Sequence, residues 1–369
     1  MIGKRSGLLD RRDFLKAAGA AFLSSLGAGA RAEALAADAV FATAYRRRDG
    51  AYGAAVLSEA GKVLLDVELP ERGHDIAFDP VSGRSAVFAR QPGTFFVVLD
   101  HGGRSAPQTI ASAPGRHFFG HGVFSPDGAL LYATENDFEN AAGMIGVYDA
   151  TSGFARVGEF PTHGIGPHEL LLLGDGRTIA VANGGIETHP DFGRAKLNLT
   201  TMKPSYVLID RESGSLVEKH ELAPDLHQLS IRHMDVDDKG AVWFGCQHEG
   251  PSNERPALVG RAARGKELEL IALPPGVLSG FRNYIGSVAA NRRAGTIAVT
   301  SPQGNLCAVI ETASAKVVAT RRLTEVCGVA PDGVGFMTTT GTGEIVDPAG
   351  RVSKDAEHVW DNHVVWLGA

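Results

Sequence analysis

Cysteine is scarce: three residues in 369, Cys246, Cys307 and Cys327. The count is odd, no two are spaced C-x-x-C, and each falls in an apolar, strand-like segment. A disulfide framework, a thiolate zinc site and a C-x-x-C-H haem attachment are therefore excluded, and buried free thiols are expected. Several catalytic signatures are also missing: no G-x-S-x-G elbow, no phosphate-binding P-loop and no H-E-x-x-H pair. The formal net charge is −6, and no Lys/Arg stripe is interleaved with aromatics, which argues against nucleic acid as a partner. The apolar run from Ala17 to Ala30 is too short and too rich in alanine to form a stable membrane span.

That run does have a use. It follows Asp10-Arg-Arg-Asp-Phe-Leu-Lys16, a twin-arginine export pattern, and precedes two small-residue cleavage sites, Ala30-Arg-Ala32 and Ala34-Leu-Ala36. Residues 1–36 are expected to be a signal peptide and residues 37–369 a single mature domain in the periplasm.

Glycine and apolar residues are abundant, with 46 glycines and 44% hydrophobic residues. They are arranged as short alternating runs punctuated by Asp-Gly, Ser-Gly and Pro, the chemistry of β-hairpins. One unit recurs: a histidine, a short apolar strand, a turn and a second strand. It begins at His74, His121, His168 and His233, and the first three copies are 47 residues apart. A period in the forties with several short strands per unit predicts an all-β, seven-bladed β-propeller. Gly286 opens a fifth unit without histidine. Pro331-Asp-Gly333 aligns a sixth and puts Val326 in the histidine's place. The mature chain opens with three strands over 39–69, and a lone strand, Asp361-Asn-His-Val-Val-Trp366, ends it. Together they predict a last blade closed by both termini, with Val364 pairing near Ala39–Ala44.

The first strand of each blade lines the central channel, so His74, His121, His168, His233 and His363 should surround one mouth. Thirteen histidines in 369 residues do not fall by chance five times at equivalent positions. Neutral imidazole without thiolate suits the borderline metals copper, iron, zinc and nickel. Second strands exit on the same face, which adds Glu135, Glu187, His189, His248, Glu249, Arg232 and Arg282 as supporting groups or alternative ligands. A polar loop from Glu187 to Lys203 should lie over the mouth and move more than the blades. Two other classes remain open. One is a metal-independent scaffold that docks partner proteins. The other is an enzyme, either a redox enzyme at a histidine-held metal or a lactonase-like hydrolase. Imidazole at the strand heads disfavours the hydrolase, whose calcium is held by carboxylates and amides.

The leader, Gly73-His-Asp75, Phe119-Gly-His-Gly-Val-Phe-Ser-Pro-Asp-Gly128, Gly164-Ile-Gly-Pro-His-Glu-Leu170 and Asn362-His-Val-Val-Trp366 resemble a family of twin-arginine-exported bacterial propeller proteins of unknown function. The resemblance covers the whole mature chain. Members tend to be encoded beside imelysin-type periplasmic iron-uptake proteins and a di-haem oxidoreductase-like protein. It implies partners of those kinds and a part in periplasmic metal acquisition, and it supplies no catalytic residues.

Overall fold

A computed structural model describes residues 40–101 and 105–367, so the expected signal peptide lies outside the described residues. Twenty-eight strands, numbered β1 to β28 along the chain, form seven sheets of four. β1 (Val40–Arg47), β2 (Tyr52–Ser58) and β3 (Val63–Leu69) join β28 (His358–Trp366) in one sheet. The other six sheets are each made of four consecutive strands. Their innermost members are β4 (Gly73–Asp79), β8 (Arg116–Phe124), β12 (Pro167–Leu172), β16 (Leu229–Val236), β20 (Ser287–Asn291) and β24 (Val326–Asp332). Each of these touches the next, and β24 and β4 both touch β28, so the ring is continuous. The fold is a seven-bladed β-propeller.

The apolar pattern follows each strand's place in its blade. β13 (Thr178–Asn183) is buried throughout, because neighbouring blades cover both its faces. The outermost β11 (Ala155–Pro161) alternates between exposed and half-buried, as a sheet wet on one side must. Second strands carry alanine where the blades converge: Ala86, Ala133, Ala180 and Ala298 are fully buried. Larger residues fill the wider spaces between blades, such as Phe88, Phe96 and Phe118 in one cluster and Trp243, Phe244 and Phe281 in another. Each such side chain contributes roughly 1.5–3 kcal/mol by leaving water. The Trp243 indole N–H donates to Asp237 Oδ2 at 2.9 Å, so its burial strands no donor.

The terminal strands pair as the sequence predicts. Phe41, Ala42 and Thr43 face Trp366, Val365 and Val364, and Tyr45 faces Trp360. The closing strand begins at His358, three residues before the Asp361 start expected from the sequence. Thr43 Oγ1 donates to the carbonyl of His363 at 2.6 Å, tying the two ends together at the hub. A chain ending at Glu357 would lack the innermost strand of its closing blade and expose the edge of β1. It should lose its cooperative melting transition by circular dichroism, and a melt within a few degrees of the full chain would refute closure as a requirement.

Candidate functional site

The innermost strands are not regular ladders at the histidines. On β4, Gly73 and Ile76 pair with Ala89 and Val87, so His74 and Asp75 together oppose a single residue. On β8, Phe118 and Gly122 pair with Glu135 and Ala133, and Phe119-Gly120-His121 arch over one partner position. The register also shifts at His168, beside His233 at Arg232, and across Asp361–His363. A bulge re-aims a side chain that strict alternation would send into the blade. Each histidine-bearing blade uses one to turn its imidazole toward the axis. Gly120 is required here: its φ is +107°, and a Cβ would lie 2.6 Å from Cδ2 of His74.

The five imidazoles meet. Around the ring, centroid separations are 4.9 Å for His74–His121, 5.0 Å for His121–His168, 4.6 Å for His168–His233, 4.7 Å for His233–His363 and 4.7 Å for His363–His74. All five are buried. His74, His121 and His168 present ring nitrogens within 4.8 Å of one another, and so do His121, His233 and His363, which makes His121 the shared member. Nε2 of His121, Nε2 of His363 and both nitrogens of His168 are buried without a hydrogen-bond partner.

Carboxylates support three of the rings, each from the preceding blade. Asp75 Oδ2 accepts from His121 Nδ1 at 2.9 Å, which leaves the Nε2 lone pair free. Glu169 Oε2 lies 3.3 Å from His233 Nδ1, and Asp361 Oδ1 lies 3.6 Å from His74 Nδ1. The same position before His168 is Gly122, so that ring has no carboxylate behind it. None of the three acids stands out in the sequence as a partner of a ring histidine. The signal was present in His74-Asp75 and His168-Glu169, but only the ring order shows that each acid serves the next blade's histidine.

Burial pushes His74, His168 and His233 well below the ordinary imidazole value, and neighbouring histidines add to the shift. His363 is pushed down to about 4, again chiefly by burial. Burial raises Glu169 well above the usual carboxylate range, and the nearby Asp75 adds to it. Burial opposes the ionised form of Asp75, but its contact with His121 prevails and holds that carboxyl below its ordinary value. Burial thus favours the neutral form of His74, His168, His233 and His363, while Asp75 and Glu169 are shifted in opposite directions.

The supporting groups expected from the sequence disperse. Glu135 is fully buried inside its own blade, where its carboxylate accepts from Tyr148 Oη at 2.6 Å and Arg156 Nη2 at 2.8 Å. Strand alternation turns it away from the mouth. Glu187 is half-buried and is held through its backbone, whose N–H donates to Asn198 Oδ1 at 2.8 Å. His189 sits on the rim against Phe138 and Phe192, with Nδ1 accepting from the Asp191 N–H at 3.2 Å. His248 lies 3.2 Å from Glu254 and, with Arg282, lines an outer cleft that shares Lys196, Gln247 and Tyr284 with the mouth. Arg232 does reach the mouth, with Glu249 behind it at 3.5 Å. Val326 belongs to an apolar cluster between blades; the bulge gives the histidine-equivalent place to Cys327 and Gly328. Burial raises the Cys327 thiol to about 12, and its Sγ lies 3.2 Å from the Asp361 carbonyl.

The loop between β13 and β14 (Ser205–Asp210) does cross the mouth: Arg194 and Lys196 line the cavity above His74, His168 and His233. It is anchored by the Asn136 side chain on the Thr188 carbonyl at 3.0 Å and by burial of Met202.

Glu135→Ala should destabilise the fold by about 1–3 kcal/mol in urea melts by stranding Arg156 and Tyr148, while leaving the histidine ring untouched. A change at the ring, read by histidine NMR shifts, would contradict its placement within the blade.

The hydrazine synthase of Kuenenia stuttgartiensis is similar in structure, with a TM-score of 0.60 over 82% of this chain and 90% of that chain at 15% identity. A likeness at that identity shows the fold alone. No curated protein matches the sequence. The model of the family described as "Protein of unknown function (DUF1513)" matches residues 67–367. As that match spans most of the chain, the protein belongs to the DUF1513 family.

Proposed function

We propose that the protein binds a transition-metal ion, iron or copper, in the histidine ring, and that it takes part in periplasmic metal acquisition or handling. The observation that carries this is the convergence of five buried imidazoles, of which His121, His168 and His363 keep ring nitrogens without hydrogen-bond partners. Each buried polar atom left unpaired costs roughly 1–3 kcal/mol. A bound cation would satisfy several at once, whereas a purely structural hub would be filled more cheaply by apolar side chains. Imidazole donors backed by carboxylates favour borderline metals over calcium or magnesium, which prefer all-oxygen sites. Among the chain's own groups, Asp75 would fix the His121 tautomer and Asp361 and Glu169 would steady His74 and His233.

The twin-arginine leader supports export to the periplasm, and the family resemblance supports imelysin-like or di-haem oxidoreductase-like proteins as partners. A metal-independent scaffold is the reading that a failed metal test would leave.

Replacing His121 and His168 together by alanine removes members of both three-histidine groups. Protein recovered from the periplasm should carry close to one metal by elemental analysis. The double variant should lose at least a hundredfold in affinity while its melt in chelator stays near that of the parent. Full metal stoichiometry in the double variant would overturn the proposal.

Metal-free protein should also report the ring through pH. The folded-state values of His74, His168, His233 and His363 lie below the unfolded value of about 6.5, so the unfolded chain takes up protons first as pH falls. Stability should be level above pH about 6.5 and fall from there toward about 4, where His363 titrates. Urea midpoints measured from pH 8 to 4 check this, and a loss beginning above 7 would contradict it.

A further inference from the structure

The cavity between the ring and the loop is small, about 130 Å³, well under the roughly 300–1,000 Å³ of sites for drug-sized ligands. Its floor includes His74, His168 and His233. Four cations line it, Arg90, Arg194, Lys196 and Arg232, and no carboxylate does. The acids behind them are shared. Glu249 serves both Lys196 and Arg232, and Asp361 lies 3.8 Å from Arg90 and 2.5 Å from Arg72. Among the described residues no acid lies within 4 Å of Arg194, whose guanidinium burial and then Arg90 push below its ordinary value. Clustered cations repel one another, and a bound dication would add to that repulsion. Two further features point the same way. Gln91, Gln247, Tyr284 and Asn362 supply polar groups around the same space, and guanidinium forks match carboxylate and phosphate oxygens two at a time.

We propose that this cavity binds a small oxyanion, a carboxylate or a phosphate-sized group, between the Arg90, Arg194, Lys196 and Arg232 cations and the histidine floor. Its position on the cavity side of the ring rests on the metal reading only where the anion would also meet the ion; the cationic grip stands without it. Arg194 comes from the loop that crosses the mouth, so a bound anion would tie that loop to the cations on the blades and shield the ring from solvent. The site would then discriminate by charge and size, since a neutral solute leaves the cations unpaired and a large one does not fit.

Calorimetric titration with malonate and with inorganic phosphate, on metal-free and on metal-loaded protein, tests this, with metal content measured in each sample. One anion should bind per chain, more weakly as salt rises. Arg194→Ala should weaken binding at least tenfold and Arg194→Lys by less, and neither should change metal content. Metal loading should tighten binding tenfold or more. The difference between the two probes assigns the ligand to carboxylates or to phosphates. If neither binds wild-type protein, or if Arg194→Ala binds as well as wild type, the proposal is wrong. Anion binding in protein that takes up no metal would uphold the cationic grip and remove the metal reading, so the two failures are distinguishable.

Discussion

The pairing of Val40–Arg47 with His358–Trp366 is the contact on which the rest of the molecule depends. Each blade presents an apolar face to its neighbours, and only a closed circle leaves no face and no inner strand without a partner. The same contact completes the site. It delivers His363 to the ring and Asp361 to His74, and Thr43 holds the His363 carbonyl in place. Closure and site assembly are therefore one event, and the last strand of the chain contributes to both.

A second constraint is the pleat. A regular inner strand would alternate its side chains and could not aim every histidine down the axis while keeping its apolar neighbours inside the blade. The bulges at His74-Asp75, Phe119–His121, His168, Arg232 and Asp361–His363 break the alternation at one level of the channel. Five imidazoles drawn from distant parts of the sequence then share a volume that water scarcely enters. Desolvation favours the neutral form of His74, His168, His233 and His363, and the Asp75, Glu169 and Asp361 side chains support three of the five rings. Above this layer lie cations with too few acids to match. The mouth is thus layered, with the imidazoles at its floor and the cations above them, and Asp361 reaches both His74 and Arg90.

Particular residues show how far the sequence reaches. Local chemistry repeats with the fold, so hairpin turns, blade number and the two-ended last blade were legible from His74, His121, His168 and His233 and from the unpaired strand at Val364. The five ring histidines were legible for the same reason: equivalent positions in a repeat become neighbours on a symmetry axis. Val326 shows the limit of that argument, because a Pro-Asp-Gly alignment counts residues and a bulge changes the count, moving the equivalent place to Cys327 and Gly328.

The supporting groups were not legible. Glu135 lies near the end of a second strand, as Gln247 does, but side-chain alternation sends it into its own blade, to Tyr148 and Arg156. Asp75 and Glu169 act on histidines 46 and 64 residues further on, a relation set by the angle between blades and by no local pattern. The same holds for the cation collar, which draws Arg90 and Arg232 from two blades and Arg194 from the loop of a third. The sequence by itself determined the repeat, the turns and which histidines share a level. The tertiary structure alone decided which side chain stands behind which, because contacts between blades depend on curvature and register that no single repeat encodes.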